Sequence, residues 1–341
     1  MPEPNSPPRP RSIRVQRGFA TVQTLIDVKA VSELELTNSS EIASIPRGRV
    51  ITIRNPVKPL TQSQHRLSGT NGSLQVAPAP LLKWAGGKRW LAPRLLKMIS
   101  RTTFARYFEP FCGGAALFFQ LAPKQAFLSD TNADLINCYE QIKNDPEGVI
   151  TVLEKFRNSE GDYYAIRNIT PRVNARRAAR ILYLTTLAFN GIYRVNLRGE
   201  FNVPYGYKAH LKPCDADRIR AASKLLQHAH FFVADFEDVA ATAVANDLLY
   251  FDPPYTVAHG NNGFLKYNEK ILQWEDQLRL ACIATSAAER GCKVIVSNAD
   301  HPSVSKLYSH FTRERVHRAS VMAASTAYRR SVSEFIFHNL F

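Results

Sequence analysis

An apolar strand that runs directly into two prolines is the most distinctive feature of the chain. Leu248–Phe251 is apolar and is followed by Asp252-Pro253-Pro254-Tyr255. Two consecutive prolines fix φ and remove two N–H donors, so the strand should end in a rigid corner whose carbonyl oxygens remain as acceptors. A carboxylate, a stiff carbonyl and an aromatic face together suit a planar ring that carries an amine. We therefore expect these four residues to hold such an amine for reaction.

A glycine turn between a predicted strand and a predicted helix forms the second motif. Such a turn lets a ligand approach the backbone at the amino end of a helix. A carboxylate that ends the next strand can accept hydrogen bonds from two ribose hydroxyls. Because the full GxGxxG pattern is absent, the spacing favours a nucleoside cofactor over a dinucleotide. The parts are an apolar run Tyr107–Cys112, the turn Gly113-Gly114, a helix Ala115–Leu121, a strand Gln125–Ser129 and Asp130 at its end.

A third motif, Lys83–Lys88, reads KWAGGK and precedes a helix. Trp84 offers a flat ring that can stack on a base. Lys88 offers a cation for a carboxylate of the same ligand. The loop is therefore predicted to contribute to the cofactor site.

A basic segment lies between these motifs. From Arg172 to Arg220 the chain has 10 Lys and Arg residues against 3 Asp and Glu. Within it, Phe189–Gly206 reads FNGIYRVNLRGEFNVPYG, in which arginine, asparagine and aromatic residues alternate between Gly and Pro. Arg pairs bidentately with guanine and Asn with adenine, and other cations hold phosphates. We expect this segment to bind nucleic acid, with added phosphate contacts from Arg313–Arg318 and Arg329-Arg330.

The overall composition agrees with a polyanionic partner. The 341 residues carry a net charge of +15, and 45% are hydrophobic and 21% charged, which excludes wholesale disorder and a coiled coil. No apolar run approaches the roughly 20 residues of a membrane-spanning helix, and Met1–Arg11 lacks the apolar region of a secretory signal. The odd, scattered cysteines predict buried thiols in a reducing compartment, the cytoplasm. They are Cys112, Cys138, Cys214, Cys282 and Cys292.

The elements that must position these motifs alternate between strands and helices, which predicts a parallel α/β sheet. Beyond those given above, the predicted strands are Asp247–Phe251, Lys293–Ser297 and Phe335–His338, and the predicted helices are Leu135–Lys143, Ala175–Phe189, Asp215–Gln227 and Trp274–Arg290. The mostly helical stretch before Leu248 is interpreted as an insertion into the sheet. We expect a catalytic domain at 77–132 and 216–341, a target-recognition insert at 133–215, and a loosely ordered extension at 1–76, where Val22–Val28 and Val50–Ile53 are the only candidate strands.

With these motifs in place, the chain resembles the Dam family, the D12 class of DNA adenine-N6 methyltransferases. The resemblance runs from about Leu81 to Phe337. It is carried, in family order, by KWAGGK at 83–88, EPFCGG at 109–114, SDTN at 129–132, NLRGEFNVP at 196–204 and DPPY at 252–255. Two departures are Ala115-Ala116 in place of a further glycine, and Thr185–Phe189, which lacks the family's usual Arg and Tyr and leaves the target sequence open.

The resemblance implies a Rossmann-like S-adenosylmethionine-dependent methyltransferase sheet with an inserted, mainly helical DNA-recognition subdomain. It implies S-adenosylmethionine as cofactor and double-stranded DNA as partner, typically at GATC sites, for a monomer without metal or membrane attachment. The expected catalytic residues are Asp252, Pro253, Pro254 and Tyr255. The expected cofactor residues are Trp84, Lys88, Glu109, Phe111, Gly113, Asp130 and Asp252. The expected DNA-binding residues are Lys83, Phe189, Asn190, Ile192, Arg194, Asn196 and Arg198.

The residues alone leave three readings open. The first is adenine-N6 methylation of a base that is flipped out of the duplex. The second is cytosine-N4 methylation, because the same corner can hold that amine, although the motif Asp252-Pro253-Pro254-Tyr255 favours adenine over its serine version. The third is a DNA-binding module without catalysis, against which Lys88, Asp130 and Asp252 argue. A protein or RNA substrate fits the basic segment less well.

Overall fold

The computed structural model describes residues 80–196, 198–256, 272–319 and 331–341. Within these ranges seven strands form one sheet. They are β1 Tyr107–Glu109, β2 Ala126–Asp130, β3 Ala229–Val233, β4 Leu248–Phe251, β5 Lys293–Ala299, β6 Thr312–Ala319 and β7 Ser331–His338. Their order across the sheet is β3-β2-β1-β4-β5-β7-β6. The first five pair in parallel, and β7 is antiparallel to both β5 and β6.

Helices connect the parallel strands and cover both faces of the sheet. They are α1 Ala92–Ile99, α2 Ala116–Leu121, α3 Ala133–Asn144, α4 Pro146–Leu153, α5 Glu160–Arg167, α6 Asn174–Leu187, α7 Ala216–Leu226, α8 Phe236–Ala240, α9 Trp274–Glu289 and α10 Pro302–Leu307. Between β2 and β3 the chain is helical, with α3 to α7 in succession. The expected parallel α/β sheet with a mainly helical insertion is therefore confirmed.

Alternation along the central strands divides the core into two layers. Leu248 and Tyr250 of β4 belong to the layer that contains α1 to α7. Leu249 and Phe251 of the same strand belong to the layer that contains α8 to α10. Successive side chains of a strand point to opposite faces, so a central strand that is covered on both sides must be apolar throughout. This explains the uninterrupted apolar run before Asp252.

Strands β3 and β6 are absent from the sequence prediction, because neither has a clear apolar pattern. The edge strand β3 reads AHFFV, and only its first residue is buried. The outer strand β6 reads TRERVHRA and was interpreted only as a basic cluster. Edge strands commonly carry charged residues that discourage pairing with other chains. The segment before Leu248 is thus mostly helical, but it also supplies β3 to the sheet.

The predicted helix Ala175–Phe189 extends too far at its carboxyl end. The helix ends at Leu187, and Ala188 is extended with φ −60° and ψ 154°. Ala188 forms an antiparallel bridge with Tyr205, and the Phe189 N–H donates to the Pro204 carbonyl at 2.9 Å. Phe189 therefore begins a separate short 3-10 turn, Phe189–Gly191. Pairing with residues far along the chain overrides local helix propensity here.

Ala115, one of the two departures from the family pattern, has a left-handed backbone with φ 49°. Glycine adopts this conformation at little cost, whereas alanine is strained by its Cβ. The Ala115 N–H nevertheless donates to the Cys112 carbonyl at 2.6 Å. The chain thus keeps the tight turn before α2 without the glycine.

Several predictions lie outside the described residues: the extension 1–76 with its two candidate strands, Leu197 within its motif, and Arg329-Arg330. The prediction of buried thiols holds for Cys112, Cys138 and Cys292, but Cys282 is exposed and Cys214 half-buried. Among the helices of the described ranges, none has the length and apolar character needed to cross a membrane.

Candidate active site

Asp130 stands where the sheet brings the glycine turn and the end of β2 together. Because β1 and β2 are neighbours in parallel register, the turn after β1 faces the carboxyl end of β2. The Gly113 N–H donates to Asp130 Oδ2 at 3.2 Å, and the Asn132 N–H donates to Oδ1 at 3.0 Å. Burial raises the pKa of Asp130, and the backbone donors partly oppose that rise. The carboxylate is therefore held in a fixed orientation at the edge of the sheet.

Gly113 and Trp84 pack so closely that the turn needs a glycine. Gly113 has φ +44°, and a Cβ on it would lie 2.8 Å from Trp84 Cδ1. The Tyr139 hydroxyl donates to the Gly113 carbonyl at 2.7 Å. The Trp84 ring stacks on Tyr193, with centroids 4.5 Å apart and planes 17° apart. The sequence predicted Trp84 as a stacking surface for a ligand, and in the structure one face of its ring is covered by Tyr193.

Glu109 and Phe111 are the other two cofactor residues expected from the glycine motif. Glu109 ends β1, and Phe111 lies in the turn that follows. Glu109 is buried and accepts a hydrogen bond from the Tyr107 hydroxyl at 2.9 Å. Burial raises the pKa of Glu109 to about 8, although the Tyr107 hydrogen bond lowers it. Phe111 stacks on Phe236, the first residue of α8, at a centroid distance of 5.1 Å. The aromatic pair forms an apolar wall near the end of β2.

The Asp252 carboxylate at the end of β4 binds two side chains from distant parts of the chain. Lys88 Nζ lies 2.8 Å from Asp252 Oδ1, and the Ser297 hydroxyl of β5 donates to the same oxygen at 2.7 Å. Ser297 in turn contacts the Tyr250 hydroxyl at 3.1 Å. Burial raises the pKa of Asp252, while Lys88 and Ser297 lower it. Asp252 is thus oriented by a cation on one side and a hydroxyl on the other.

The two proline carbonyls are not equivalent, contrary to the expectation that both remain as acceptors without a competing donor. Gln277 of α9 donates from Nε2 to the Pro254 carbonyl at 3.2 Å. Its Oε1 accepts from Asn298 Nδ2 at 2.9 Å, and both amide side chains are fully buried. This relay of amides fixes the corner, and it leaves the Pro253 carbonyl as the acceptor to expect at a bound amine.

Tyr255 is anchored by its hydroxyl. It donates to Glu334 Oε2 of β7 at 2.7 Å, and Lys88 Nζ lies 4.7 Å from the centroid of its ring. Burial raises the pKa of Tyr255 well above its usual value, and the nearby carboxylates add to this. The hydroxyl therefore stays protonated and remains a donor to Glu334.

Lys88 joins the catalytic corner, defined as Asp252–Tyr255, to the glycine-rich loop that also carries Trp84. Trp84 packs on Gly113, whose N–H binds Asp130. The structure therefore brings together all three motifs that the sequence singled out for chemistry. The arrangement joins a backbone-oriented carboxylate, Asp130, through the Trp84 loop to a rigid corner with a carboxylate, a carbonyl and an aromatic ring.

The predicted DNA-binding residues lie on a hairpin and on the segment just before it, except for Lys83, which lies in the Trp84 loop. We define the recognition hairpin as residues 194–202, closed by an antiparallel bridge between Val195 and Phe201. Arg194 is exposed and donates from Nε to Asn202 Oδ1 at 2.8 Å. Asn196 Oδ1 accepts from two backbone N–H groups of the hairpin, and its Nδ2 donates to Glu200. Asn196 therefore stabilises the hairpin turn itself.

Other predicted contacts surround this hairpin. Phe189 is 54% exposed, Asn190 is exposed with φ 55°, and Lys83 and Arg198 are also exposed. Ile192 is half-buried. Lys83 approaches Gly191, since a Cβ on that glycine would lie 2.6 Å from Lys83 Cδ. These side chains form a surface next to the Trp84 loop.

The second basic cluster is less available than its charge suggested. Arg315 binds Asp300 at 2.7 Å, and both Arg313 and Arg315 lie over the Phe335 ring. Arg313 also donates to the Ser305 hydroxyl. These arginines help to hold β6 and β7 against α10.

Sequence reasoning missed four polar residues that support the corner, namely Gln277, Ser297, Asn298 and Glu334. All four side chains are buried. A polar residue inside an otherwise apolar strand was the available signal, because buried polar groups require partners. Ser297 and Asn298 in β5, and Glu334 in β7, show it clearly. Among the described side chains, no group of three or more His, Cys, Asp or Glu residues is arranged to hold a metal ion.

A parallel sheet with a glycine turn suited to a nucleoside, an inserted helical segment and a DPPY corner together define the class of amino-methyltransferases. Comparison with known proteins agrees with this class. The model of the D12 class N6 adenine-specific DNA methyltransferase family matches residues 84–322. The chain belongs to this family. Its reaction is therefore site-specific methylation of adenine N6 in DNA, and the expectation from the sequence is confirmed at that level.

Three curated relatives show how much of the chain is shared. The chain is 36% identical over 270 residues to the type II methyltransferase M1.LlaDCHI of Lactococcus lactis subsp. cremoris, covering 76% of this chain and 95% of the relative. It is 34% identical to the type II methyltransferase M.MjaIII of Methanocaldococcus jannaschii, covering 70% and 90%. It is also 34% identical to the DNA adenine methylase of Escherichia coli strain K12, covering 74% and 88%.

Proposed function

We propose that this chain uses S-adenosylmethionine to methylate N6 of an adenine that it flips out of double-stranded DNA, acting as a monomer at GATC-like sites. The observation that carries the proposal is the ion pair between Lys88 and Asp252 at 2.8 Å. It holds the catalytic corner within reach of the loop that contacts Gly113, whose N–H binds Asp130. Methyl transfer requires the cofactor and the target amine to lie side by side, and this ion pair joins the loop of one to the corner of the other.

The residues present fit a nucleoside cofactor. Asp130 has both carboxylate oxygens oriented by backbone N–H groups, which suits acceptance of two ribose hydroxyls. Phe111 and Phe236 offer an apolar wall, and Trp84 borders the glycine turn. Lys88 is the cation we assign to a carboxylate of the cofactor, and its ammonium is held in place by the Gly86 carbonyl at 3.0 Å and by Asp252 at 2.8 Å. When bound, S-adenosylmethionine supplies a methyl group on a positively charged sulfur.

The corner residues act on the target amine. The lone pair of adenine N6 is conjugated with the ring, so the free amine is a poor nucleophile. Hydrogen bonds from its two N–H groups to Asp252 and to the Pro253 carbonyl favour a pyramidal nitrogen, which localises the lone pair toward the methyl group. Tyr255 stacks on the flipped ring and offsets part of the few kcal/mol that extrusion costs. Methyl transfer would form the N6–CH3 bond as the S–CH3 bond breaks, with the neutral thioether S-adenosylhomocysteine as leaving group, and N6 would release one proton through Asp252 to water. Fixing both reactants in line supplies much of the rate enhancement.

The recognition surface selects the site. Arg194, with Nε already committed to Asn202, presents the rest of its guanidinium for a guanine edge. We assign the exposed Phe189 and Asn190 to the DNA at the base pair that opens when the adenine is flipped. Ile192 provides an apolar contact next to them. Lys83 and Arg198 are assigned to a base edge or phosphates, and Asn196 acts by maintaining the hairpin.

Nucleoside analysis of methylated DNA tests the proposal. The purified chain is incubated with methyl-labelled S-adenosylmethionine and with two duplexes of equal composition, one containing GATC and one with that site scrambled. We expect N6-methyladenine, formed preferentially in the GATC duplex. Label in N4-methylcytosine would favour the cytosine reading, and absence of label from both bases would support a non-catalytic DNA-binding module.

A further inference from the structure

A buried carboxylate beneath the catalytic corner belongs to none of the sequence motifs. Glu334 lies in the middle of β7, and its side chain is 1% exposed. Its Oε2 accepts the hydrogen bond from the Tyr255 hydroxyl at 2.7 Å. The same oxygen is 3.8 Å from Lys88 Nζ. One oxygen of one residue thus contacts the aromatic and the cationic members of the corner.

Besides the carbonyl of Gly86 in its own loop, Lys88 contacts three groups of the corner and of β7. Its ammonium lies 2.8 Å from Asp252, 3.8 Å from Glu334 and 4.7 Å from the Tyr255 ring centroid. The cluster therefore contains one cation and two carboxylates in a buried setting. Buried ion pairs seldom add net stability, because desolvation offsets the attraction. A second carboxylate at such a site is better explained by what it orients.

The groups that Glu334 orients are those that must meet the adenine. The Tyr255 ring can stack on a base only if its plane is fixed, and the hydroxyl bond to β7 fixes the far end of that ring. β7 pairs directly with β5, where Asn298 lies opposite Phe335, so the anchor belongs to the rigid sheet. Hydrogen bonds to charged groups are shorter and stronger than neutral ones.

We propose that Glu334 is a positioning residue for methyl transfer, which holds the Tyr255 ring as the stacking surface for the flipped adenine and shares Lys88 with Asp252. The inference rests on the proposed function. Glu334 itself touches neither the base nor the cofactor and acts through Tyr255 and Lys88.

The test uses Glu334→Gln, Tyr255→Phe and the double variant in the full chain. Glu334→Gln removes the charge with almost no change of shape, and Tyr255→Phe keeps the ring but removes the hydroxyl. Each single variant should lower the single-turnover rate by about 10- to 100-fold, the range expected for a hydrogen bond to a charged group. KM for DNA should change little. Tyr255→Phe should cost several-fold less in the Glu334→Gln background than in the wild type, because the two changes weaken one interaction.

A base analogue reports the ring position independently of turnover. 2-Aminopurine in place of the target adenine fluoresces when it is flipped out and is quenched when it stacks on an aromatic ring. Both single variants should therefore give a brighter complex than the wild type. Glu314→Gln is the matched control, because it removes a carboxylate of the neighbouring strand β6 that contacts Arg94 and His338 and does not contact the corner. It should leave the rate and the fluorescence unchanged.

Several results would overturn the positioning role. An unchanged methylation rate and unchanged fluorescence in Glu334→Gln would overturn it. A double variant whose loss of rate equals the product of the two single losses would also overturn it. If Glu334→Gln melts far below the wild type, Tyr255→Phe carries the test alone, and an unchanged rate in that variant contradicts the proposal. A wild-type chain that methylates no adenine contradicts the proposed function and this inference with it, whereas an active wild type with a normal Glu334→Gln variant contradicts the inference only.

Discussion

The catalytic corner and the recognition hairpin orient their polar groups in opposite ways. At the corner, Asp252 and Tyr255 are held by Lys88, Ser297 and Glu334, which come from three separate parts of the chain. At the hairpin, polar groups bond mainly to one another within residues 194–202. The corner residues are buried or half-buried, whereas Arg194 and Arg198 are exposed. Under the proposed function, chemistry depends on contacts from across the sheet, and target reading depends on a local unit.

Removing the carboxylate at the corner should have the largest effect. Asp252→Ala deletes the group that accepts from the amine and that binds Lys88, so turnover should fall by about 10³-fold or more. DNA binding should persist, because the recognition hairpin holds its own shape. Single-turnover methylation and a duplex-binding titration measure the two effects separately.

The control for this change is Asp300→Ala, which removes a carboxylate that pairs with Arg315 near the end of β5. It should retain turnover. Near-normal methylation by Asp252→Ala would refute the role of the corner. Loss of DNA binding in that variant would mean that corner and hairpin are not independent.

The next prediction concerns stability. It tests the burial of Glu109 in β1, the strand that pairs with β4. Burial raises the pKa of Glu109 to about 8 from 4.5. The folded state then binds the proton more tightly than the unfolded state does. The stabilising contribution of the protonated group is full below about pH 4.5 and is lost as pH rises through about 8. Since one pKa unit corresponds to about 1.4 kcal/mol, a loss of a few kcal/mol is expected over this window.

Glu109→Gln removes the titration while it keeps an acceptor for the Tyr107 hydroxyl. Its free energy of unfolding, measured with denaturant from pH 5 to pH 9, should fall less with pH than that of the wild type. Glu140→Gln, at an exposed position of α3, should follow the wild-type curve. Parallel curves for wild type and Glu109→Gln would show that Glu109 is ionised in the folded state across this range.

At the hairpin, Arg194→Ala should weaken site preference more than general DNA binding. An arginine that reads a guanine contributes about 1–3 kcal/mol of discrimination. The measurement is the ratio of affinities for the GATC duplex and the scrambled duplex. Lys212→Ala removes an exposed cation outside the hairpin and should weaken both duplexes equally, as a phosphate contact does. Equal losses on both duplexes for Arg194→Ala would contradict base reading.

The contrast between the two regions also explains what the sequence revealed. The corner motif and the glycine turn are contiguous, so their residue types and spacing predicted both the strand ends and the chemistry. The hairpin was visible for the same reason. Glu334 is 79 residues from Tyr255, and Gln277 is 23 residues from Pro254. The order of the strands and the packing of α9 on the sheet bring these residues together. Strands β3 and β6 were missed because edge strands lack the buried alternation that identifies a strand.

The smallest predicted effect lies where the two regions touch. Tyr193, between Ile192 and Arg194, stacks on Trp84 of the glycine-rich loop. Phe201 of the hairpin packs edge to face with Tyr193, at a centroid distance of 5.6 Å. Stacked aromatic pairs contribute about 0.5–1.5 kcal/mol beyond their buried area. If this contact links the two sites, target DNA and cofactor should raise each other's affinity by the same factor. Tyr193→Ala should reduce that factor by about 2- to 10-fold.

Binding of S-adenosylhomocysteine, measured with and without the GATC duplex, gives the coupling factor without turnover. Tyr207→Ala removes an aromatic ring that is 69% exposed and contacts Tyr205, and it should leave the factor unchanged. An unaltered factor in Tyr193→Ala would mean that recognition and catalysis communicate only through the bound DNA. The corner and the hairpin would then be independent modules, and the stack on Trp84 would serve packing alone.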